Sequence, residues 1–248
     1  MNIQLIVQLL VLVDEARDQD ELAARLESLL AAYGFQFYGI RLHRHPHQLT
    51  DLAETDLLSN WPATWRQIYV SRKYSLIDPN MRMLGMVQRP FRWRDAVLAL
   101  KTDPHRQRIE RMMQEAGRYG LQDGYLFPVN GRNGLLGWMI IGGKAIDLSP
   151  TEIALFDAAA KRIFWRLLEL KGAAQEVEMA QRLESPLTRR EMEVILHLAD
   201  GLTSNEIAKT LEISNHTVDW YINGLQEKLR AKNRQHVVAI AFRLGLVT

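Results

Sequence analysis

The chain has 248 residues, a formal net charge of +2, 47% hydrophobic and 24% charged residues, and no cysteine. This is a globular composition, long enough for one medium and one small domain, since single domains run to roughly 100–150 residues. It excludes disulfides, thiolate metal sites and cysteine nucleophiles, and its near-neutral charge means that any nucleic-acid binding must come from local geometry.

An apolar run from Ile3 to Val13 opens the chain. It lacks a basic leader and a small-residue cleavage site and is too short to span a bilayer, so it is expected to form a buried helix in a soluble, cytoplasmic protein. Residues 18–33, DQDELAARLESLLAAY, space leucine and alanine as an amphipathic helix does, with acids in the first turn and Gly34 to end it. FQFYGIRL follows as a strand. His43, His45 and His47 in the next loop fit neither a helical pair nor a zinc pattern, so no metal is expected.

In NWPATWRQIYVSRKYSLIDP, residues 60–79, Asn60 suits an N-cap and Pro62 the first helical turn, which predicts a helix to about Tyr74. A short helical stretch is expected from Pro79 to Val87. Trp61, Trp65 and Tyr69 recur at helical spacing before the carboxylate of Asp78. Indole can only donate, phenol donates or accepts, and carboxylate only accepts, so together they can hold a compact amide or lactone by opposed hydrogen bonds. Taken by residue type, the stretch is equally a core with polar ring edges, with Asp78 as the N-cap before Pro79.

Another helix is predicted over DPHRQRIERMMQEAGRYG. GYLFPVNGRNGLLGWMIIGG then reads as a hairpin around Asn-Gly, and LSPTEIALFDAAAKRIFWRLLEL as a long helix capped by Ser149. The order predicts an α+β fold whose first domain, residues 1–170, is an α-β-α sandwich. Residues 171–186 read as a linker.

Residues 187–248 spell out four short helices. Thr188 with Glu191 and Thr203 with Glu206 form capping boxes, Gly201 stops the first helix, and Ser214 and Asn233 cap the third and fourth. The tight LEIS turn makes a helix-turn-helix, whose second helix suits the major groove; an ordinary four-helix bundle is the alternative. Lys228, Arg230, Lys232 and Arg234 form the one concentrated basic run.

LTRRE, ADGLTSNEIA, LEISNHTV, NRQHVVAIA and GLV occur in the order and register of the LuxR-type DNA-binding domain, which residues 187–248 resemble throughout. The resemblance implies phosphate contacts near Thr203, Asn215, Thr217, Lys228 and Lys232, and base-facing positions at Asp219 and Asn223. Many family members have a basic residue where this chain has Asp219, and an acid there only accepts, as from cytosine, and repels phosphate. Basic residues barely outnumber acidic ones in this domain, so two copies on a twofold-symmetric double-stranded site are expected.

Trp65, Tyr69, Asp78, Pro79 and Trp93 likewise resemble the autoinducer-binding domain of the same family, whose ligands are acyl-homoserine lactones. By that resemblance Trp65 would donate to the lactone carbonyl and Asp78 would accept from the ligand amide. Trp93 would pack on the lactone ring, and Tyr69 would line the start of the acyl chain. Trp61 stands where several relatives have a tyrosine that bonds the ligand's amide carbonyl, and Ile140 where some have a serine. Both favour a short, branched or aromatic acyl group. The chain is thus expected to be a homodimeric, ligand-responsive transcription factor with no cofactor, a ligand-free interaction module in the first domain being the alternative. It has no nucleophile paired with a base, no phosphate-binding glycine loop and no metal spacing, so no catalytic residue is expected.

Overall fold

A computed structural model describes residues 3–43, 55–131, 134–180, 187–244 and 246–247. The chain divides into two compact units, one formed by Met1–Asn130 and Leu135–Ala174, the other centred on Gln175–Thr248.

In the first unit, α1 (Ile3–Leu12) and α2 (Gln19–Tyr33) lead into β1 (Phe35–Leu42). Asp18 caps α2 by accepting from the Glu21 N–H at 2.8 Å, and Gly34 ends it at φ 84°, a conformation that costs glycine little. α1 is not buried all round, as its composition suggested. Ile6, Leu9 and Val13 are enclosed, while Leu5, Val7, Val11 and Leu12 are exposed, because a helix resting on one layer can bury only one stripe.

The sheet has the order β2-β1-β5-β4-β3, with β2 at Asp56–Ser59, β3 at Phe91–Arg92, β4 at Asp123–Gly131 and β5 at Gly134–Gly143. β1 runs antiparallel to β2 and to β5, and β3 antiparallel to β4. A register shift between Phe35 and Phe37 sends two side chains that strict alternation would align to opposite faces. Phe35 meets Tyr125 and Phe156 edge-on, whereas Phe37 stacks on Trp61.

One face of the sheet is covered by α1, α2 and α7 (Pro150–Leu170). Here Phe156 and Phe164 of α7 are fully buried, Gly137 leaves room for the Phe164 ring, and the Tyr38 hydroxyl donates to Glu27 at 2.9 Å. The other face carries α3 (Ala63–Ser71), a 3-10 turn (Tyr74–Leu76), α4 (Pro79–Leu84), α5 (Trp93–Ala99) and α6 (Arg106–Arg118). The architecture is the expected α-β-α sandwich.

Two expectations for residues 60–79 need correction. Asn60 caps no helix; its Oδ1 accepts from the Tyr38 N–H at 2.7 Å and its amide donates to the Gln36 carbonyl at 3.1 Å, so it serves the backbone at the β1 irregularity. α3 also ends early, at Ser71, because Lys73 takes a left-handed turn at φ 52° and redirects the chain into the 3-10 turn. The short strands β2 and β3 and helix α5 have no counterpart in the sequence reading. The β3 edge is held by buried Arg92, which donates to Asp123 at 2.6 Å, pairs with Asp147 and lies over the Tyr125 ring.

The second unit contains α8 (Ala174–Ala180), α9 (Arg189–Ala199), α10 (Ser204–Leu211), α11 (Asn215–Lys228) and α12 (Arg234–Arg243). Both capping boxes form as the spacing requires, and Ser214 and Asn233 cap α11 and α12. Val194, Ile195, Ile207, Val218, Leu225 and Val237 make the core, and Glu212 at φ 55° turns α10 into α11. The end of the expected linker, residues 181–186, lies outside the described residues.

Candidate functional site

Trp65 and Tyr69, one turn apart on α3, meet edge to face with ring centroids 6.0 Å apart. Buried Trp65 also stacks on Tyr74 and tilts against Tyr119, each at 6.1 Å, so α3, the 3-10 turn and the end of α6 close a single shell. Tyr74 is fixed by its hydroxyl, which donates to Glu115 at 2.7 Å, while Glu115 also pairs with Arg72.

The acid sits at the end of this shell. The Tyr69 hydroxyl donates to Asp78 Oδ2 at 2.8 Å, and Asp78 Oδ1 accepts from the Asn80 N–H at 2.8 Å, the N-cap bond of α4. Burial pushes the Asp78 carboxyl above its ordinary range, opposed by the Tyr69 hydroxyl and the Asn80 and Met81 N–H groups, which favour the anion. Burial, and then the charge of Asp78, hold the Tyr69 phenol well above its ordinary value, so it remains a neutral donor.

Trp93, at the start of α5, lies flat on the sheet because two glycines make space for it. A Cβ on Gly124 would stand 2.6 Å from its Cε2, and one on Gly142 would collide with the far end of the same indole. Its Nε1 is buried without a hydrogen-bond partner, as is Oδ1 of Asn80. Trp61 tilts against Trp93 at 6.4 Å and stacks on Phe37 at 6.4 Å. The Trp61 Nε1 is the atom nearest to where a Cβ on Gly39 would stand, so the missing side chain there makes the space that seats this ring edge on β1. Ile140 is half-buried and bridges this cluster to the one around Leu84, Phe91 and Leu126.

Trp61, Trp65, Tyr69, Trp93 and Ile140 therefore share one cluster, with Asp78 bonded to its Tyr69. Sequence reasoning missed Phe37, Tyr74, Tyr119, Asn80 and the glycines beneath Trp93. The paired glycines that end the apolar run WMIIGG of β5 are the signal that points to Gly142. A surface cleft of about 480 Å³ bordered by Glu27, Tyr38, Asn60 and Lys144, and another of about 290 Å³ beside Arg92 and Arg94, open elsewhere.

On α11, Asn215, Asp219 and Asn223 are exposed at helical spacing, and so is Trp220, which the sequence reading passed over and which is 69% exposed. Asp219 Oδ1 accepts from the Ser204 hydroxyl at 3.0 Å, and the Thr217 and Ser214 hydroxyls are bonded at 2.7 Å. Thr203 is spent on its capping box with Glu206. Lys232 is exposed.

Lys228, which the resemblance places near phosphate, also has a partner within the fold. Its ammonium bonds Glu191 at 2.8 Å with both groups largely enclosed, because the start of α9 otherwise leaves a buried carboxylate without a cation. Burial works to raise the Glu191 carboxyl, but Lys228 and Thr188 prevail and hold it below its ordinary range. Arg234 likewise turns inward, donating to the Leu202 carbonyl at 3.1 Å, so the basic run is partly structural.

A helix-turn-helix unit joined to an α-β-α unit with a polar-edged aromatic cluster defines a sensor-type transcription regulator. Residues 18–167 match the family described as autoinducer binding domain, and residues 185–241 match bacterial regulatory proteins of the luxR family. The chain belongs to the LuxR family of DNA-binding transcriptional regulators, and is not an enzyme. It is 32% identical over 94% of its length, and 91% of the relative's, to the HTH-type quorum sensing-dependent transcriptional regulator RpaR of Rhodopseudomonas palustris. It is 29% identical over 90% of its length, and 88% of the relative's, to the transcriptional activator BjaR1 of Bradyrhizobium diazoefficiens. Its fold resembles crystalline SdiA of Escherichia coli, with a TM-score of 0.59 at 22% identity and 97% of each chain covered. Among the described residues no helix is long and apolar enough to cross a membrane, and no group of three metal-ligating side chains forms; His45 and His47 lie outside the described residues.

Proposed function

We propose that the tryptophan-lined side of the sheet binds an acyl-homoserine lactone, and that this binding governs regulation of promoters by a cytoplasmic homodimer. The observation that carries this reading is the Tyr69–Asp78 hydrogen bond inside the Trp65 shell, which sets a buried acceptor against aromatic walls. A carboxylate offers about four acceptor positions. Tyr69, Asn80 and Met81 use part of that capacity, which leaves room for a ligand N–H. Trp65 is then the donor to the lactone carbonyl, and Tyr69 lines the start of the acyl chain. Phe37, Trp61 and Ile140 form a bulky apolar wall that favours a short, branched or aromatic acyl group over a long 3-oxo chain.

A ligand that binds only the folded state stabilises it by about 2.7 kcal/mol at a hundredfold excess over Kd. The dimer presents two α11 helices to a twofold-symmetric DNA site, where Asp219 and Asn223 face the bases and Thr203, Asn215, Thr217, Lys228 and Lys232 lie near phosphates. The exposed Leu5, Val11 and Leu12 of α1 favour a second reading, a ligand-free pairing module, but that reading leaves the buried N–H of Trp93 unexplained.

Thermal unfolding of the full chain with N-isobutyryl-, N-phenylacetyl- and N-(3-oxododecanoyl)-homoserine lactone tests this. The first two are expected to raise Tm most. Preference for the long 3-oxo chain removes the acyl assignment, and no shift with any of the three removes the sensor.

A further inference from the structure

Of the two neighbouring indoles, Trp61 seats its Nε1 edge over Gly39 on β1 and stacks its face on Phe37. Trp93 is 5% exposed, its Nε1 is wholly buried, and no acceptor reaches it. An unpaired buried donor costs about 1–3 kcal/mol of desolvation, which a protein tolerates where a ligand supplies the missing partner. The absence of side chains at Gly124 and Gly142 seats this indole on the sheet beside Trp61 and within the same cluster as Trp65. We infer that Trp93, not Trp61, donates the hydrogen bond to the ligand's amide carbonyl, and that Trp93 is thereby a hydrogen-bonding specificity residue as well as a packing surface. This assignment rests on the acyl-homoserine lactone reading of the site.

The ligand amide carries one N–H and one C=O, so it calls for one acceptor and one donor from the protein. Asp78 supplies the acceptor, and Trp93 supplies a donor that nothing else in the fold uses. Trp61, held by Phe37 and Gly39, then shapes the space beside the amide without bonding it.

The chain has six tryptophans, so indole-¹⁵N labelling of the full protein gives six N–H resonances, each assigned by its loss in a Trp→Phe variant. On titration with N-isobutyryl-homoserine lactone, the Trp93 N–H resonance is expected to move downfield as a new hydrogen bond forms, and the Trp61 resonance to stay. Trp93→Phe is expected to weaken binding roughly three- to tenfold, the worth of one hydrogen bond. A second probe, the thioamide analogue of the same lactone, isolates the bond from the packing: its weak acceptor should lower affinity for wild type but hardly further for Trp93→Phe. Should Trp93→Phe not fold, the Trp93 resonance is assigned by elimination from the other five variants, and in wild type the thioamide is expected to bind more weakly and to move that resonance less than the amide does. Binding with an unmoved Trp93 resonance, or equal loss from the thioamide in both proteins, overturns the inference and leaves the sensor reading standing. Where the N-isobutyryl lactone does not bind, the titration uses whichever of the three lactones raises Tm most, and no binding of any of them by wild type overturns both.

Discussion

The two faces of the five-stranded sheet draw on the same kinds of residue and use them differently. Beneath α7, Phe156, Ile163, Phe164 and Leu167 are fully buried, and the phenol of Tyr38 is matched to Glu27. Beneath α3 to α6, the rings carry polar handles, Asp78 is enclosed at a cost in solvation, and Trp93 Nε1 and Asn80 Oδ1 lack partners. The first face carries an unpartnered polar atom too, the Tyr33 hydroxyl beside Phe156, but on the second such atoms accompany an enclosed acid, and the proposed reading assigns them to a ligand. Substitutions on the two faces should therefore separate stability from ligand response.

The largest effect is expected from Phe164→Ala. It removes a fully buried ring seated over Gly137 and should cost about 3–5 kcal/mol in urea unfolding, with little change in ligand affinity for the molecules that remain folded. Asp78→Asn should show the opposite pattern. Because burial raises the Asp78 pKa in the fold, its anion opposes folding above that raised value, and the opposition fades as pH falls through it. Replacing it by neutral Asn should leave the ligand-free Tm unchanged or higher, yet weaken lactone-induced stabilisation by roughly 1–3 kcal/mol. A ligand dose-response that survives Asp78→Asn intact would remove this residue from the site.

The second unit extends the contrast to its two kinds of cation. Lys228→Ala strands the enclosed Glu191 carboxylate and should destabilise the helix-turn-helix unit by roughly 1–3 kcal/mol, less than a fully buried pair would. The depressed Glu191 pKa means that this stability is present above the ordinary carboxylate range and is lost as pH falls through the folded value, so acid titration of the variant should lose that component. Lys232→Ala should do the reverse, sparing stability and lowering the salt dependence of DNA binding by about one unit of slope per protomer. If Lys228→Ala lowers that slope as much, its ammonium is exchanged between Glu191 and phosphate.

Where a residue's job is done within four positions, the sequence was legible. The boxes Thr188/Glu191 and Thr203/Glu206, the caps at Ser149 and Ser214, and the Gly34 stop all depend on local hydrogen bonds and appear as foreseen. Asn60 misled because it carries the signature of a local N-cap while distant backbone groups of β1 take its hydrogen bonds. β2, β3 and α5 were hidden because strands of four and two residues and a seven-residue helix hold too little periodicity to register.

The family, the order of its two domains and the acid-plus-aromatic motif at residues 65–93 are written in residue type and spacing. The direction of each polar handle is not. That Tyr69 meets Asp78 was decided by the packing of α3 on the start of α4, and the seats of Trp61 and Trp93, whose Nε1 finds no partner, by the space that glycines of β1, β4 and β5 leave. Spacing along a chain sets which residues share a face, but the aim of a side chain depends on the space its neighbours across the sheet leave empty.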